Sequence, residues 1–296
     1  MGGNKYVAFV DILGFKDIVS GKTQRQASKV IADFSSLIYE AWDALNYQDN
    51  RQINGFIVSD CAIIHTNGDT SGELDSMLRL LLAVFPKSIY QNGVMLRASI
   101  TKGEFDDLPT NTFQNLGKRL IVGQAYVDAT ILESKYKGSQ IVFGQSVRDD
   151  VREISGAAFH ISELPPDKRG KGESKNEKYY TLRWLDVAQF AKDGNLRSFV
   201  RLANESRWLI HYYDTIHLFL KDMDNEPRKR AILDKIWRCV AELDAANKVC
   251  RDTFIINAFS DDVSRPFKQM MAKYLRDCVE ESMAIQTQMG DEPPFS

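Results

Sequence analysis

Residues Arg51 to Thr66, RQINGFIVSDCAIIHT, hold two short β-rich runs broken only at Ser59-Asp60, and they lie between two stretches of helical periodicity. Runs joined by so short a link fold back as an antiparallel hairpin, with the aspartate at its tip. In the preceding stretch, Gln26 to Leu45, residues Val30, Ile31, Phe34, Leu37 and Ile38 fall at helical spacing. That pattern is an amphipathic helix with one face for a sheet. A second helix is expected from about Glu73 to Tyr90. Outside these helices lie Tyr6 to Leu13, an apolar β-branched run that ends at Gly14, and Val94 to Phe105, which alternates. In the latter, Leu96, Ala98 and Ile100 face one way and Arg97, Ser99 and Thr101 the other, so the second face is expected to meet water or a polar cleft. The order β-α-β-β-α-β is that of a ferredoxin-like antiparallel sheet with helices on one face. A polar loop (Asp106 to Gly117), a short strand to Val122 and a helix from about Gln124 to Lys135 are expected to follow.

From about residue 196 only helical stripes remain, which predicts a small bundle. The expected division is an α+β domain over residues 1–185 and a helical subdomain over residues 186–296. Net charge is −2, without the basic excess that phosphate-backbone binding shows, so no nucleic acid partner is expected. The longest apolar runs, such as Leu78 to Phe85, are far below the roughly 18 residues of a membrane span. No membrane association and no secretory leader are expected, and the cytoplasm is the expected location. Cys61, Cys239, Cys250 and Cys278 are scattered, without the spacing of a zinc site or a disulfide framework.

Asp11, at the end of the first strand, and Asp60, at the hairpin tip, lie side by side if their strands are neighbours. Close carboxylates repel unless protonated or bridged by cations, and Mg²⁺ or Mn²⁺ held by two carboxylates and substrate phosphates is a common solution. The turn ILGFKD after Asp11 offers backbone N–H groups to a phosphate, with Gly14 permitting close approach. The alternative is that each aspartate caps a turn.

The stretch FVDILGFK resembles the opening signature of class III nucleotide cyclases, a strand ending F-x-D-I followed by x-G-F. FIVSDCAII (Phe56 to Ile64) resembles that family's K-x-x-G-D hairpin, with Asp60 at the second metal position and Ser59 replacing the glycine. LRASITKGEF (Leu96 to Phe105) resembles the R-x-G-I-x-x-G strand, and GQAYVDATILES (Gly123 to Ser134) resembles G-x-A-V-N-x-A-A-R-L-E-S. The segment Glu163 to Leu182 resembles the final hairpin, whose lysine reaches the triphosphate. The helical C-terminal third has no counterpart in a minimal cyclase domain.

The resemblance implies a ferredoxin-like class III cyclase domain working as a homodimer with composite active sites. Its substrate would be a nucleoside triphosphate, converted to a 3′,5′-cyclic monophosphate and pyrophosphate. Asp11 and Asp60, with the backbone carbonyl of Ile12, would hold two Mn²⁺ or Mg²⁺ ions per site. The backbone of Leu13, Gly14 and Phe15 would cradle the β- and γ-phosphates, and Lys171 is the candidate to contact the γ-phosphate; the alternative for Lys168, Arg169 and Lys171 together is a solvated loop. Family members that select purines commonly place Lys or Glu where Phe56 stands, and Asp or Cys where Leu120 stands. Neither Phe56 nor Leu120 can hydrogen-bond a base edge, so they would form an apolar wall that favours a single-ring base. The family's Asn and Arg align with Val127 and Ile131. Losing a transition-state cation costs about 3 kcal/mol or more on the scale of single oxyanion donors. Arg97 is the first candidate for a replacement catalytic cation, ahead of Arg119, Lys118 and Lys102; the alternative for Arg97 is an edge ion pair.

Both aspartates retained with the purine readers lost is similar to the bacterial pyrimidine cyclases of Pycsar antiphage systems. These are cytoplasmic enzymes making cyclic UMP or cyclic CMP, which activates a separate effector. The favoured expectation is therefore a uridylate cyclase, with UTP ahead of CTP. Competing readings are a degenerate cyclase-like regulatory dimer that binds nucleotide, a purine (adenylate) cyclase reading the base through other residues, and, more remotely, a nucleic-acid-binding ferredoxin-like module. His211 and His217, about 120° apart on a helix, cannot share one ion. Arg228 to Arg230 read as a solvated helix start, and GKGESKNEK lacks the strand-to-helix context of a phosphate-binding loop.

Overall fold

A computed structural model describes residues 3–21, 23–45, 47, 52–92, 94–108, 120–136, 138–154, 159–164 and 177–186, with isolated positions 197, 215, 227, 231, 232, 234, 235, 238, 242, 245 and 246. The chain divides into two compact units, Met1–Asp186 and Val187–Ser296. In the second unit Thr215 and Ile232 are buried and Arg197 pairs with Glu242. His211, His217 and Arg228 to Arg230 lie outside the described residues.

The first unit runs β1 (Asn4–Ile12), α1 (Phe15–Gly21), α2 (Gln24–Ala44), β2 (Ile53–Val58), β3 (Cys61–Thr66), α3 (Ser71–Asn92), β4 (Leu96–Glu104), β5 (Asp106–Leu108), β6 (Leu120–Val122), α4 (Gln124–Lys135), β7 (Ile141–Gly144), α5 (Gln145–Ile154), β8 (Ile161–Glu163) and β9 (Tyr179–Leu182). Seven strands form one sheet in the order β2-β3-β1-β4-β7-β9-β8. Each of its first four strands is antiparallel to its neighbours, which is the ferredoxin-like core, and β7 extends it parallel to β4. The fold class is α+β. Strands β5 and β6 form a separate antiparallel ribbon. Strand β6 is the expected short strand to Val122, whereas β5 lies in the stretch expected as a polar loop, because Asp-Asp-Leu carries little strand propensity of its own and is held by its partner.

Alternation along β1 and β4 decides what each face meets. Tyr6, Ala8, Val10 and Ile12, with Leu96, Ala98 and Ile100, are essentially inaccessible. They belong to the face of α2, α3 and α5: the Tyr6 hydroxyl donates to Asp150 of α5 at 2.8 Å, and the Phe85 ring of α3 meets Trp184 at 5.5 Å, tilted by 59°. Helix α2 begins with a capping box in which Thr23 accepts from the Gln26 N–H and Gln26 Oε1 accepts from the Thr23 N–H at 2.9 Å, satisfying two otherwise orphaned donors.

Helix α4 lies on the opposite face, which departs from the expected single-sided layer. There it covers Val7 and Ile63 through Ala125 and Ala129, with Phe9, Phe56, Ile121 and Tyr126 at the margin. Helix α4 therefore covers the middle of the polar face of β4, while Arg97 at its end stays partly exposed beside Asp11. Ser99 Oγ donates to the Ala129 carbonyl and Thr101 Oγ1 to the Ala125 carbonyl, both at 2.6 Å. One helix face can satisfy successive polar residues because the two repeats match: two residues along a strand advance roughly 6.7 Å, and four along a helix roughly 6 Å.

Candidate functional site

The end of β1 is where the two aspartates meet. Asp11 is the register partner of Cys61, the first residue of β3, and the Ile12 N–H donates to the Asp60 carbonyl at 3.0 Å. Strand pairing thus brings Asp11 next to a residue 50 positions further along the chain, Cys61. The hairpin tip carrying Asp60 is tight, and Ser59 adopts a left-handed φ of 57°, a conformation that favours glycine at this place in a two-residue loop.

Burial raises the Asp11 carboxyl above its ordinary value; the Arg97 guanidinium draws it back down, and the Asp60 charge adds to the rise. The Cys61 thiol is pushed up to about 11, first by burial and then by Asp60 and Asp11. It is a neutral thiol, donating to the Val58 carbonyl at 3.1 Å, wedged beside two carboxylates.

Arg97 is the register partner of Asp11 on β4. Its Nε and Nη2 both donate to Asp11 Oδ2, at 3.2 and 3.0 Å. The same Nε pairs with Glu133 Oε1 of α4, a side chain only 6% exposed. Lys102, a lower-ranked candidate for that cationic role, is five residues further along β4 and so on the other face. It pairs with Asp150 at 3.1 Å and Asp69 at 3.5 Å over the Tyr6 ring.

Gly14, at φ 79°, turns the chain from β1 into α1. The phosphate cradle expected from Leu13 to Phe15 is narrower than the sequence suggests, because the Leu13 N–H already donates to the Met95 carbonyl at 2.9 Å. Phe56 is half-buried against the cluster under α4. Leu120, 40% exposed, sits one residue before Ile121, which packs on that cluster, and strand alternation turns it to the other side. The fold does not seat Leu120 in the cluster that holds Phe56. Val127 and Ile131 are exposed on α4, at 45% and 48%. Lys118, Arg119, Lys168, Arg169 and Lys171 lie outside the described residues.

The donors fit a divalent cation. The Asp60 charge is close enough to act on the Asp11 carboxyl, the Arg97 hydrogen bonds go to Asp11 Oδ2, and two neighbouring carboxylates invite a counter-ion. Among the described residues, no group of three or more His, Cys, Asp or Glu side chains is arranged to hold a metal, so substrate or backbone oxygens would complete the shell. Glu133 is the site residue that sequence reasoning passes over. It stands at the E of the segment GQAYVDATILES, but nothing local distinguishes a buried helix glutamate from a solvated one.

Solved structures of similar fold include the adenylyl cyclase CyaB from P. aeruginosa, at 14% identity over 62% of this chain and 95% of that one, with a TM-score of 0.48. Another is the guanylate cyclase domain of RhGC from Catenaria anguillulae in complex with GTP, at 14% identity over 61% of this chain and 96% of that one, TM-score 0.46. A third is the guanylyl cyclase Cya2, at 14% identity over 62% of this chain and 94% of that one, TM-score 0.42. No family model and no curated protein matches the chain. Likenesses this distant carry no substrate or activity to it. No helix among the described residues is long and apolar enough to cross a membrane.

Proposed function

We propose that the protein is a divalent-metal-dependent nucleotidyl cyclase that converts a pyrimidine nucleoside triphosphate, UTP ahead of CTP, into its 3′,5′-cyclic monophosphate and pyrophosphate. The observation that carries the reading is the pairing of Asp11 with the hairpin that bears Asp60, at the positions where the motifs of this sequence resemble the metal-binding aspartates of class III cyclases. The 3′-oxygen attacks the α-phosphorus, its proton leaves, and the bond to pyrophosphate breaks. When bound, Mn²⁺ or Mg²⁺ lowers the pKa of the 3′-hydroxyl and neutralises the triphosphate.

Asp11 and Asp60 hold that charge, and Gly14 lets the chain turn closely past the phosphates. Phe56, half-buried on an apolar cluster, supports an uncharged wall for the base and so a one-ring base. Composite sites in a homodimer, a separate effector that responds to the cyclic nucleotide, and a role in defence against phage belong to the same proposal.

The test is to incubate the purified protein with each of the four ribonucleoside triphosphates and Mn²⁺, alongside Asp60→Ala, and resolve the products by mass. A cyclic pyrimidine monophosphate from the unmutated protein alone is expected; cyclic AMP or GMP instead would overturn the base assignment. One observation favours a second reading: Arg97 is committed to Asp11 and Glu133, while Val127 and Ile131 stand where the family's Asn and Arg are found. A nucleotide-binding dimer without turnover would show saturable nucleotide binding by calorimetry and no cyclic product.

A further inference from the structure

Between β4 and α4 runs a ladder of three rungs: Thr101 to Ala125, Ser99 to Ala129, and Arg97 to Glu133. Each step moves two residues back along the strand and four forward along the helix, on one face of each. The third rung differs in kind. It is an ion pair at the end of the ladder, and its arginine reaches past the helix to Asp11 Oδ2. A helix glutamate buried to 6% exposure is therefore one guanidinium away from a carboxylate assigned above to the divalent cation.

We propose that Arg97 and Glu133 are positioning residues that set the affinity of the Asp11–Asp60 site for its divalent cation, Arg97 as a built-in counter-ion and Glu133 as the carboxylate that balances it. This rests on the metal reading given above. An arginine bonded to a metal-ligating carboxylate competes with the cation for that charge; a second carboxylate on the same guanidinium offsets the competition. With Asp11, Asp60 and Glu133 ionised and Arg97 protonated, the four side chains sum to the charge that one divalent ion neutralises. Without Glu133 the cluster is left one charge short, and without Arg97 it has one in excess. Interactions between charges in such partly buried clusters are weakly screened.

The signs make the test sharp. Mn²⁺ affinity of the full chain at pH 8 is read from the electron paramagnetic resonance signal of free Mn²⁺, with circular dichroism confirming the fold of each variant. Glu133→Gln is expected to weaken Mn²⁺ binding about tenfold; Glu133→Asp keeps the charge and is expected to stay within about threefold. Arg97→Gln is expected to tighten binding, an effect that loosened packing does not produce. Ser99→Ala breaks the neighbouring rung without touching charge and is expected to leave the affinity unchanged. Wild-type affinity in Glu133→Gln, weaker binding in Arg97→Gln, or an equal loss in Ser99→Ala would each overturn the inference while the metal site stands, provided Asp60→Ala abolishes binding. If Asp60→Ala and Asp11→Ala both bind Mn²⁺ as the wild type does, the metal reading itself fails.

Discussion

Helix α4 can occupy the Asp11 face only because of the residue before it, and replacing Gly123 with alanine tests that dependence. Gly123 caps α4 at φ 149° and ψ 147°, a region open essentially to glycine alone, where a side chain costs about 1–3 kcal/mol. A Cβ there would stand 2.6 Å from Phe105 Cα and 2.9 Å from the Glu104 carbonyl carbon, with the Glu104 oxygen nearer still. These are backbone atoms of the β4–β5 junction that cannot rotate away, and overpacking of this kind adds about 1–3 kcal/mol. The sum is about 4 kcal/mol. Urea unfolding followed by tryptophan fluorescence measures it, since Trp184 is buried against Phe85. With a slope of about 2 kcal/mol per molar urea, the midpoint falls by about 2 M. Gly103→Ala is the control: its Cβ would rest 3.6 Å from the Ala125 Cβ, an ordinary contact, and the loss stays under about 1 kcal/mol. A Gly123→Ala midpoint near wild type, or an equal loss in Gly103→Ala, would refute the reasoning.

Ser59→Gly relieves the left-handed φ at the hairpin tip and is expected to stabilise the protein by about 1 kcal/mol; a lower urea midpoint would mean that the Ser59 hydroxyl matters more than its backbone. Glu73 accepts from the Gly68 N–H at 2.8 Å and from the Thr70 N–H and hydroxyl at 3.0 and 2.6 Å. Burial pushes its carboxyl up, but these hydrogen bonds outweigh it and hold the value below the ordinary one. Its stabilisation is therefore present above the ordinary glutamate value and lost as pH falls through the depressed one. Glu73→Gln is expected to lower stability by about 2 kcal/mol at pH 7, with the gap closing in acid urea titrations; a pH-independent gap would contradict the assignment. Asp11 has the opposite sign: its raised carboxyl favours the fold when protonated, below the ordinary value, and that contribution is lost as pH rises through the raised one. Mn²⁺ at a hundredfold excess over its pH 8 dissociation constant is accordingly expected to stabilise the protein by about 2.7 kcal/mol at pH 8, by less at the same concentration at pH 5, and not at all in Asp60→Ala, read as shifts in melting temperature.

The hairpin, the flanking helices and the two aspartates were legible because each is written locally. Alternation, a two-residue break and a glycine after a strand are signals within ten residues of one another. The side of the sheet on which α4 lies was not legible, because an amphipathic helix shows that it buries a face and not which face of a sheet receives it. The polar stripe Arg97, Ser99, Thr101 was visible, but Ser99 and Thr101 bond backbone carbonyls of α4, which have no sequence signature, and Arg97 bonds carboxylates brought to it by β1 and α4. The Leu13 amide was misjudged for a related reason: a turn shows that N–H groups exist, and only the neighbouring strand shows that Met95 has taken one.

What the sequence determined by itself was the β-α-β-β-α-β order of the core, the antiparallel hairpin, and an acidic residue near the end of the first strand and another at the hairpin tip. Those follow from side-chain periodicity and local conformational preference, which act over a few residues. Tertiary structure alone decided that Asp11 is shared with Arg97, that Glu133 stands behind that arginine, and that Lys102 is turned to the opposite face toward Asp69 and Asp150. Charge–charge interactions depend on distance through space and on burial. The chain sets both only when β1, β4 and α4 close on one another.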